Sequence, residues 1–182
     1  NVGDSTIATA SANTKAAAGN HQIEVQNLAK AQKIKSESFA TTSTGIGSGT
    51  LTIEFGTYNG DGTFTSNPTK TSKTITIESD QTELSSIRDA INEASVGITA
   101  SIVNDGSGNR LVISSDNTGI DNTLKITVDD ADGLDLDNAG LSKLAYDATT
   151  GGTANMTQTV AAQNATMVVD GITINKSYNT IT

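Results

Sequence analysis

Residues 74–103, TITIESDQTELSSIRDAINEASVGITASIV, change their hydrophobic period twice, and that change decides the fold. Ile75 and Ile77 alternate with Thr74 and Thr76, the period-2 pattern of a half-buried strand. Leu84, Ile87, Ala90, Ile91 and Ala94 then share one stripe of a helix placed near 82–95. Asp80 followed by Glu83 predicts a capping box with Asp in the usual Ser/Thr place, and Gly97 supplies a left-handed residue just past the last turn. Alternation resumes from Ile98 to Val103. So short a helix is marginal by itself. Leu84, Ile87 and Ile91 must therefore lie on a sheet, and 74–103 reads as a strand–helix–strand unit.

Composition sets what surrounds that unit. The 182 residues have room for one or two compact domains, and with aromatics at 3% and no Trp the cores must be built from Ile, Val, Leu and Ala. Such cores bury less area per residue, which favours small, thin domains. Seventeen glycines, a single proline (Pro68) and abundant Ser, Thr and Asn predict many short strands joined by tight turns. The fold class expected is α+β, mostly β: two small β-rich domains, one inserted in the other, with a single main helix. The net charge of −9 repels phosphate, so neither nucleic acid nor an anionic membrane is expected as a partner. There is no apolar run long enough to span a bilayer, and no cysteine for disulfides or thiolate chemistry. The chain opens at Asn1 with neither Met nor a signal-peptide pattern, so it reads as a piece of a longer protein.

Outward from the helix, residues 1–20 read as a flexible or edge-strand lead-in and Gln22–Leu28 as a strand. Leu28, Ala31 and Ile34 follow at helical or irregular spacing. Lys30, Lys33 and Lys35 form a small basic patch, read as a solvated face. Residues 41–50, TTSTGIGSGT, read as a flexible linker and the first domain border. Gly45, Gly47 and Gly49 do not make a phosphate loop, because a strand follows at Leu51–Phe55 where a helix N-terminus would be needed. Asn59-Gly60-Asp61-Gly62 and Asn67-Pro68 mark a long excursion before the central unit, with Phe64 packed beneath it. After that unit, Asn104–Gly108 turns a hairpin into Arg110–Ser115, and Thr123–Val128 is a further strand. Residues 129–137, DDADGLDLD, fail as an EF-hand: placing Gly133 sixth puts Val128 first and Ala139 twelfth, where carboxylates are required. They read as a solvated acidic loop, with Leu134, Leu136, Leu141 and Leu144 forming a short helical cap. Residues 148–155 loosen into a second border. Asp170-Gly171 then turns Thr166–Val169 into Ile172–Asn175.

No catalytic constellation emerges. His21 is the single histidine and sits beside a turn, where an exposed ring is expected rather than a Ser-His-Asp member. Two-carboxylate chemistry on glycans would want stacking aromatics that this chain lacks, and His and Cys clusters for a metal are missing. Catalytic, cofactor-binding and metal-binding residues are therefore assigned as none.

Several phrases resemble one family. Ile87–Val103, IRDAINEASVGITASIV, is similar to the IN motif of bacterial flagellar proteins, named for the pair that is here Ile91-Asn92. Gly19–Ile34 (GNHQIEVQNLAKAQKI), Ser101–Gly119 with 121–128, and 162–181 (AQNATMVVDGITINKSYNTI) resemble, in the family's order, the flagellar filament cap proteins of the hook-associated protein 2 family. That resemblance implies a head domain split by an inserted one, with residues 1–46 and 160–182 outside and 47–159 inserted. It further implies a non-enzymatic, cofactor-free protein that leaves through the flagellar export channel. In the full-length protein it would self-associate into a ring-like oligomer at the filament tip and help flagellin fold and polymerise. Some members also contact host mucin or another surface ligand. The alternatives from other classes are a variable domain of flagellin or of a hook–filament junction protein, a stand-alone surface adhesin domain, and an extracellular glycan-acting enzyme.

Overall fold

The computed structural model describes residues 2–16 and 19–180. Asn1, Ala17, Ala18, Ile181 and Thr182 lie outside the described residues, and with them the last member of the Asn179-Thr180-Ile181 phrase. In chain order the strands are β1 (Ile23–Asn27), β2 (Lys33–Lys35), β3 (Gly49–Tyr58), β4 (Phe64–Ser66), β5 (Lys73–Ile77), β6 (Ile98–Asn104), β7 (Asn109–Ser115), β8 (Thr123–Asp130), β9 (Thr157–Val160), β10 (Ala165–Val169) and β11 (Ile172–Lys176). One α-helix among the described residues, α1 (Leu84–Ala94), stands between β5 and β6, and 3-10 turns occupy Ile120–Asn122 and Gly140–Leu144. The class is α+β and mostly β, as the alternation predicts.

Three antiparallel sheets result. β3 is the spine of one: β8 pairs with its residues 49–56 on one side, while β5 and β4 share the other. A second sheet runs β6-β7-β2-β9, and a third, of three strands, runs β1-β10-β11. Leu51, Ile53 and Phe55 of β3, Ile75 and Ile77 of β5 and Leu124 and Ile126 of β8 point into one core. There they meet Ile34, Ile98, Ala100, Leu111 and Ile113 from the second sheet. The helix is what joins these sheets. β5 belongs to the first and β6 to the second, so α1 crosses from one to the other with Leu84, Ile87 and Ile91 fully buried between them.

The Ile-Asn pair has a physical meaning in this setting. Ile91 enters the core, and its neighbour Asn92 turns to the open edge of β6, the terminal strand of its sheet. There the Asn92 amide donates to the Ala100 carbonyl at 2.9 Å and its Oδ1 accepts the Ala100 N–H at 2.7 Å. The side chain thus stands in for a missing strand and satisfies an edge that would otherwise be open.

Both helix ends differ from expectation. Glu83 is the N-cap residue and makes no side-chain capping bond. The free amides at this end are satisfied from elsewhere in the chain: Leu84 N–H donates to the Thr44 carbonyl and Ser85 N–H to that of Thr42, both at 3.0 Å. At the other end Ser95, with φ 50°, takes the left-handed cap expected of Gly97. Because residues 42–46 dock on the helix, the glycine-rich stretch is not a flexible linker. Gly49 (φ 143°) runs so close to the neighbouring strand that a Cβ would meet the Asp129 carbonyl oxygen at 2.2 Å. Gly47 and Gly49 serve close packing, not freedom.

The border expected at residue 46 also fails to coincide with a change of pairing. Lys33–Lys35, expected as irregular, is a strand held between β7 and β9, and Ile34, Phe39 and Ile46 belong to the main core. The acidic loop differs too. Asp130 is only 4% exposed, and its carboxylate accepts Ser142 N–H at 2.9 Å, while Asp135 accepts Asp130 N–H at 2.8 Å. Carboxylates that receive backbone amides build this loop rather than merely solvate it. Leu141 and Leu144 are buried in the 3-10 turn, but Leu134 and Leu136 stand out in solvent, 60% and 80% exposed.

Replacing Ile87 and Ile91 with Asp puts two uncompensated charges between the sheets, and cooperative unfolding of the body around α1 is expected, at several kcal/mol. Unchanged thermal melting by circular dichroism would contradict this packing. Asn92→Leu leaves both Ala100 groups unpaired and is expected to cost about 2–4 kcal/mol in urea titration, with Asn92→Asp between it and the parent.

Candidate functional site

Among the described residues no three His, Asp or Glu side chains cluster as metal ligands, and the surfaces and the junction between the parts carry the features described next. The three-stranded sheet stands apart from the main core, which none of its strands enters. Ile23 and Ile172 are 49% and 67% exposed, and a groove of about 1240 Å³ runs between residues 5–13 and the face carrying Ile23, Val25, Met167 and Val169. This sheet is thin, as the low-aromatic composition implies.

Its attachment to the larger body is polar. The chain crosses between the parts at Lys30 and Gln163, which pair by two backbone hydrogen bonds of 2.8 and 3.1 Å. Asn179 repeats the device of Asn92: its Oδ1 accepts Ala29 N–H at 2.6 Å and its amide donates to the Ala29 carbonyl at 3.1 Å. Thr118 Oγ1 donates to the Ser177 carbonyl at 2.6 Å, and Ile120 N–H donates to Asn164 Oδ1 at 3.0 Å. Gly119, at φ 95°, lets the two parts touch here, since a Cβ would lie 2.5 Å from that of Ser177. A cleft of about 430 Å³ opens alongside, lined by residues 65–70, Asp121, Asn122 and Ser177 among others.

His21 holds one end of this sheet together. Its Nδ1 lies 2.6 Å from Asp170 Oδ2, while Asp170 Oδ1 accepts Gln22 N–H at 2.8 Å. The turn carrying Asp170 is the expected two-residue one, with positive φ at both Asp170 (50°) and Gly171 (83°). His21 is exposed, and no Ser or Thr hydroxyl among the described residues hydrogen-bonds its ring. The imidazole closes a hairpin; it does not face a nucleophile.

The remaining groups singled out in the sequence are scattered. Lys30 lies at the junction, whereas Lys33 and Lys35 project from the outer face of β2. Among the described residues no three His, Asp or Glu side chains cluster as metal ligands, the acidic loop included. Sequence reasoning passed over Gln32, which is fully buried. Its amide donates to Gln158 Oε1 at 2.7 Å and its Oε1 accepts Leu124 N–H at 2.6 Å, so one side chain links β8 to β9. Nothing local marked it, because Gln32 lies among Lys30, Lys33 and Lys35, where a polar residue reads as solvent-facing.

The hydrogen bond from His21, and after it the Gln22 N–H, hold the Asp170 carboxyl below its ordinary value of 3.8. A carboxyl depressed in the folded state adds stability above its unfolded value and loses it as pH falls through the folded one. Acidification below about 4 is therefore expected to loosen the β1–β10–β11 turn. Asp170→Asn should abolish that dependence in amide exchange at Gln22; exchange that stays equally acid-sensitive in the variant would refute the link.

Comparison with known proteins agrees with this architecture. The family model described as the flagellin hook IN motif matches residues 50–117, spanning β3 to β7. Flagellar hook-associated protein 2 of Escherichia coli (strain K12) is 37% identical over 170 residues, covering 91% of this chain and 32% of that protein. B-type flagellar hook-associated protein 2 of Pseudomonas aeruginosa is 37% identical over 184 residues, covering 96% and 35%. The chain thus spans about a third of the length of these curated relatives. Among solved structures, the D2-D3 domains of the flagellar cap protein FliD from Escherichia coli superpose with a TM-score of 0.77 at 36% identity, covering 94% of this chain and 80% of that one. The corresponding domains from Serratia marcescens give 0.76 at 36% identity, with 94% and 85% covered. Extended similarity in sequence and in shape coincide over the same residues, and the chain belongs to the flagellar cap protein family, the hook-associated protein 2 or FliD family.

Proposed function

We propose that this chain is the head region of a flagellar filament cap, seated outside the cell at the filament tip. The observation that carries the proposal is the agreement in shape with FliD D2-D3 domains over nearly the whole chain. In this reading the longer protein leaves by the flagellar export channel, self-associates into a ring-like oligomer and promotes the folding and polymerisation of flagellin beneath it. Its role is mechanical and needs neither cofactor nor turnover. Host mucin or another surface ligand is a further partner that an exposed head could meet.

The proposed division into domains follows strand pairing. The outer domain comprises residues up to Ala29 and from Asn164 onward, built on β1-β10-β11, and the inserted domain comprises 30–163, with the helix at its centre. This moves the borders from 46 and 160 to the paired crossing at Lys30 and Gln163. A head made of one dense body on a polar, narrow attachment suits a plate that must stay folded while the parts beneath it rearrange.

Immunogold electron microscopy of the source cells with antibody to this chain tests the proposal. Label confined to filament tips is expected. Label along the filament would make the chain a flagellin-type domain, and label on the cell body would make it an adhesin domain.

A further inference from the structure

The tip of the hairpin between β3 and β4 carries the one Asn-Gly pair in the chain, Asn59-Gly60. The backbone closes there as a tight turn: Gly62 N–H donates to the Asn59 carbonyl at 3.0 Å, and Asn59 N–H to the Thr63 carbonyl at 2.9 Å. The Asn59 carboxamide braces this turn, since its nitrogen donates to Thr63 Oγ1 and to Thr65 Oγ1, both at 2.9 Å. Gly60 is exposed, and its N–H donates to no group among the described residues. A side-chain carboxamide is thus followed directly by a backbone nitrogen that is unbonded, in water, and without a Cβ beside it to screen it.

Those are the conditions for an intramolecular reaction. The Gly60 nitrogen attacks Asn59 Cγ and the Cγ–Nδ2 bond breaks. The displaced amide nitrogen carries off the Gly60 proton, through solvent, as ammonia. The cyclic imide left behind takes up water at either of its carbonyls, giving aspartate or isoaspartate. No oxidant, cofactor or second protein enters the balance. The Asp-Gly turns do not share this chemistry. Asp61, Asp105, Asp132 and Asp170 are carboxylates at neutral pH and so poor targets for a nucleophile, and each already accepts a backbone N–H.

We propose that Asn59 is a site of spontaneous deamidation whose products loosen the β3–β4 hairpin. Aspartate replaces both amide donors with acceptors, and Thr63 cannot answer them, because its hydroxyl already donates to Asp61 Oδ1 at 2.7 Å. Isoaspartate also lengthens the backbone by one carbon inside a turn whose length sets the register of Gly56 on Ser66, Thr57 on Thr65 and Tyr58 on Phe64. β4 has three residues and pairs with β3 alone, so no second ladder holds it when that register fails. Phe64, whose ring lies 4.8 Å from that of Tyr58, and residues 65–69, which line the cleft at the junction, move with it. The reaction needs only this turn and water. From the cap reading comes its consequence, a change that accumulates with age on a head outside the cell.

The test is peptide mapping by mass spectrometry of the folded chain after weeks in warm, mildly alkaline buffer, beside the same chain in urea. Deamidation concentrated at Asn59 is expected in the folded sample, with isoaspartate the larger product. Gly60→Ala should slow it by about tenfold or more, because a Cβ screens the attacking nitrogen. That substitution fits the fold, since the added Cβ would have no atom within 4 Å and Gly60 is not among the glycines with positive φ. The deamidated fraction should exchange its amides faster than the parent across residues 59–67. An Asn59 amide retained in the folded chain overturns the proposal, and loss confined to the urea sample would identify the turn as its protection. Deamidation spread evenly over the asparagines, a rate indifferent to Gly60→Ala, or unchanged exchange in the deamidated fraction overturns it as well. Tip labelling is read independently, so that failure is distinguishable from failure of the cap reading.

Discussion

The structure depends on one requirement: a short helix must fit between two sheets, and the edge of the second sheet must be closed where it does so. Leu84, Ile87 and Ile91 fill the space, and Asn92, one residue along, satisfies the outer N–H and C=O of Ala100. The two tasks are coupled through adjacency. On a helix, consecutive residues point about 100° apart, so the residue after a core-facing Ile is aimed at the flank of the sheet below. An Asn there reaches the edge strand; a longer amide would overshoot, and an apolar residue would leave two buried polar groups unpaired.

The same solution recurs because the composition demands it. With few aromatics, the core has little bulk to fix how its sheets sit on each other, and directional bonds take over part of that task. Asn179 closes on Ala29 as Asn92 does on Ala100, Asn155 ties the Asp137 and Ser142 carbonyls together, and Gln32 spans from β8 to β9. Each amide offers a donor and an acceptor with fixed separation, matched to a peptide unit. The abundance of Asn in the sequence is thus partly structural rather than a mark of loops. Tyr58 adds a smaller instance: its hydroxyl donates to the carbonyls of Leu124 and Tyr146, and burial pushes its acidity well below that of an ordinary tyrosine.

How far the fold was legible follows from the range of the interactions. Period alone located β1, β3, β5, α1, β6, β7, β8, β10 and β11, and the Asp170-Gly171 turn could be read from residue chemistry because both positions need positive φ. What was misread depends on contacts distant in sequence. The N-terminus of α1 is satisfied by carbonyls of Thr42 and Thr44, some forty residues away, so the local Asp80/Glu83 pattern pointed to a cap that does not form. β2 has three residues, too few for a period to declare itself, and exists because β7 and β9 flank it. Gly49 looked like freedom and is a close approach. For Asp130 the misleading feature was the run of charge around it, which concealed that one carboxylate of the set is buried on backbone amides.

The two parts of the molecule are held by different physics. Around α1, Leu84, Ile87 and Ile91 are fully buried in one continuous core of Ile and Leu. In β1-β10-β11 the apolar residues are half-exposed, and the sheet persists through its ladder, the His21–Asp170 pair and the polar junction at Ala29, Lys30 and Ser177. Local opening free energy scales with buried apolar contact, so the thin sheet and its junction are the low-stability end of the structure. Its exposed strands and apolar groove are also the surface with the most to gain from further chain or a neighbour laid against it.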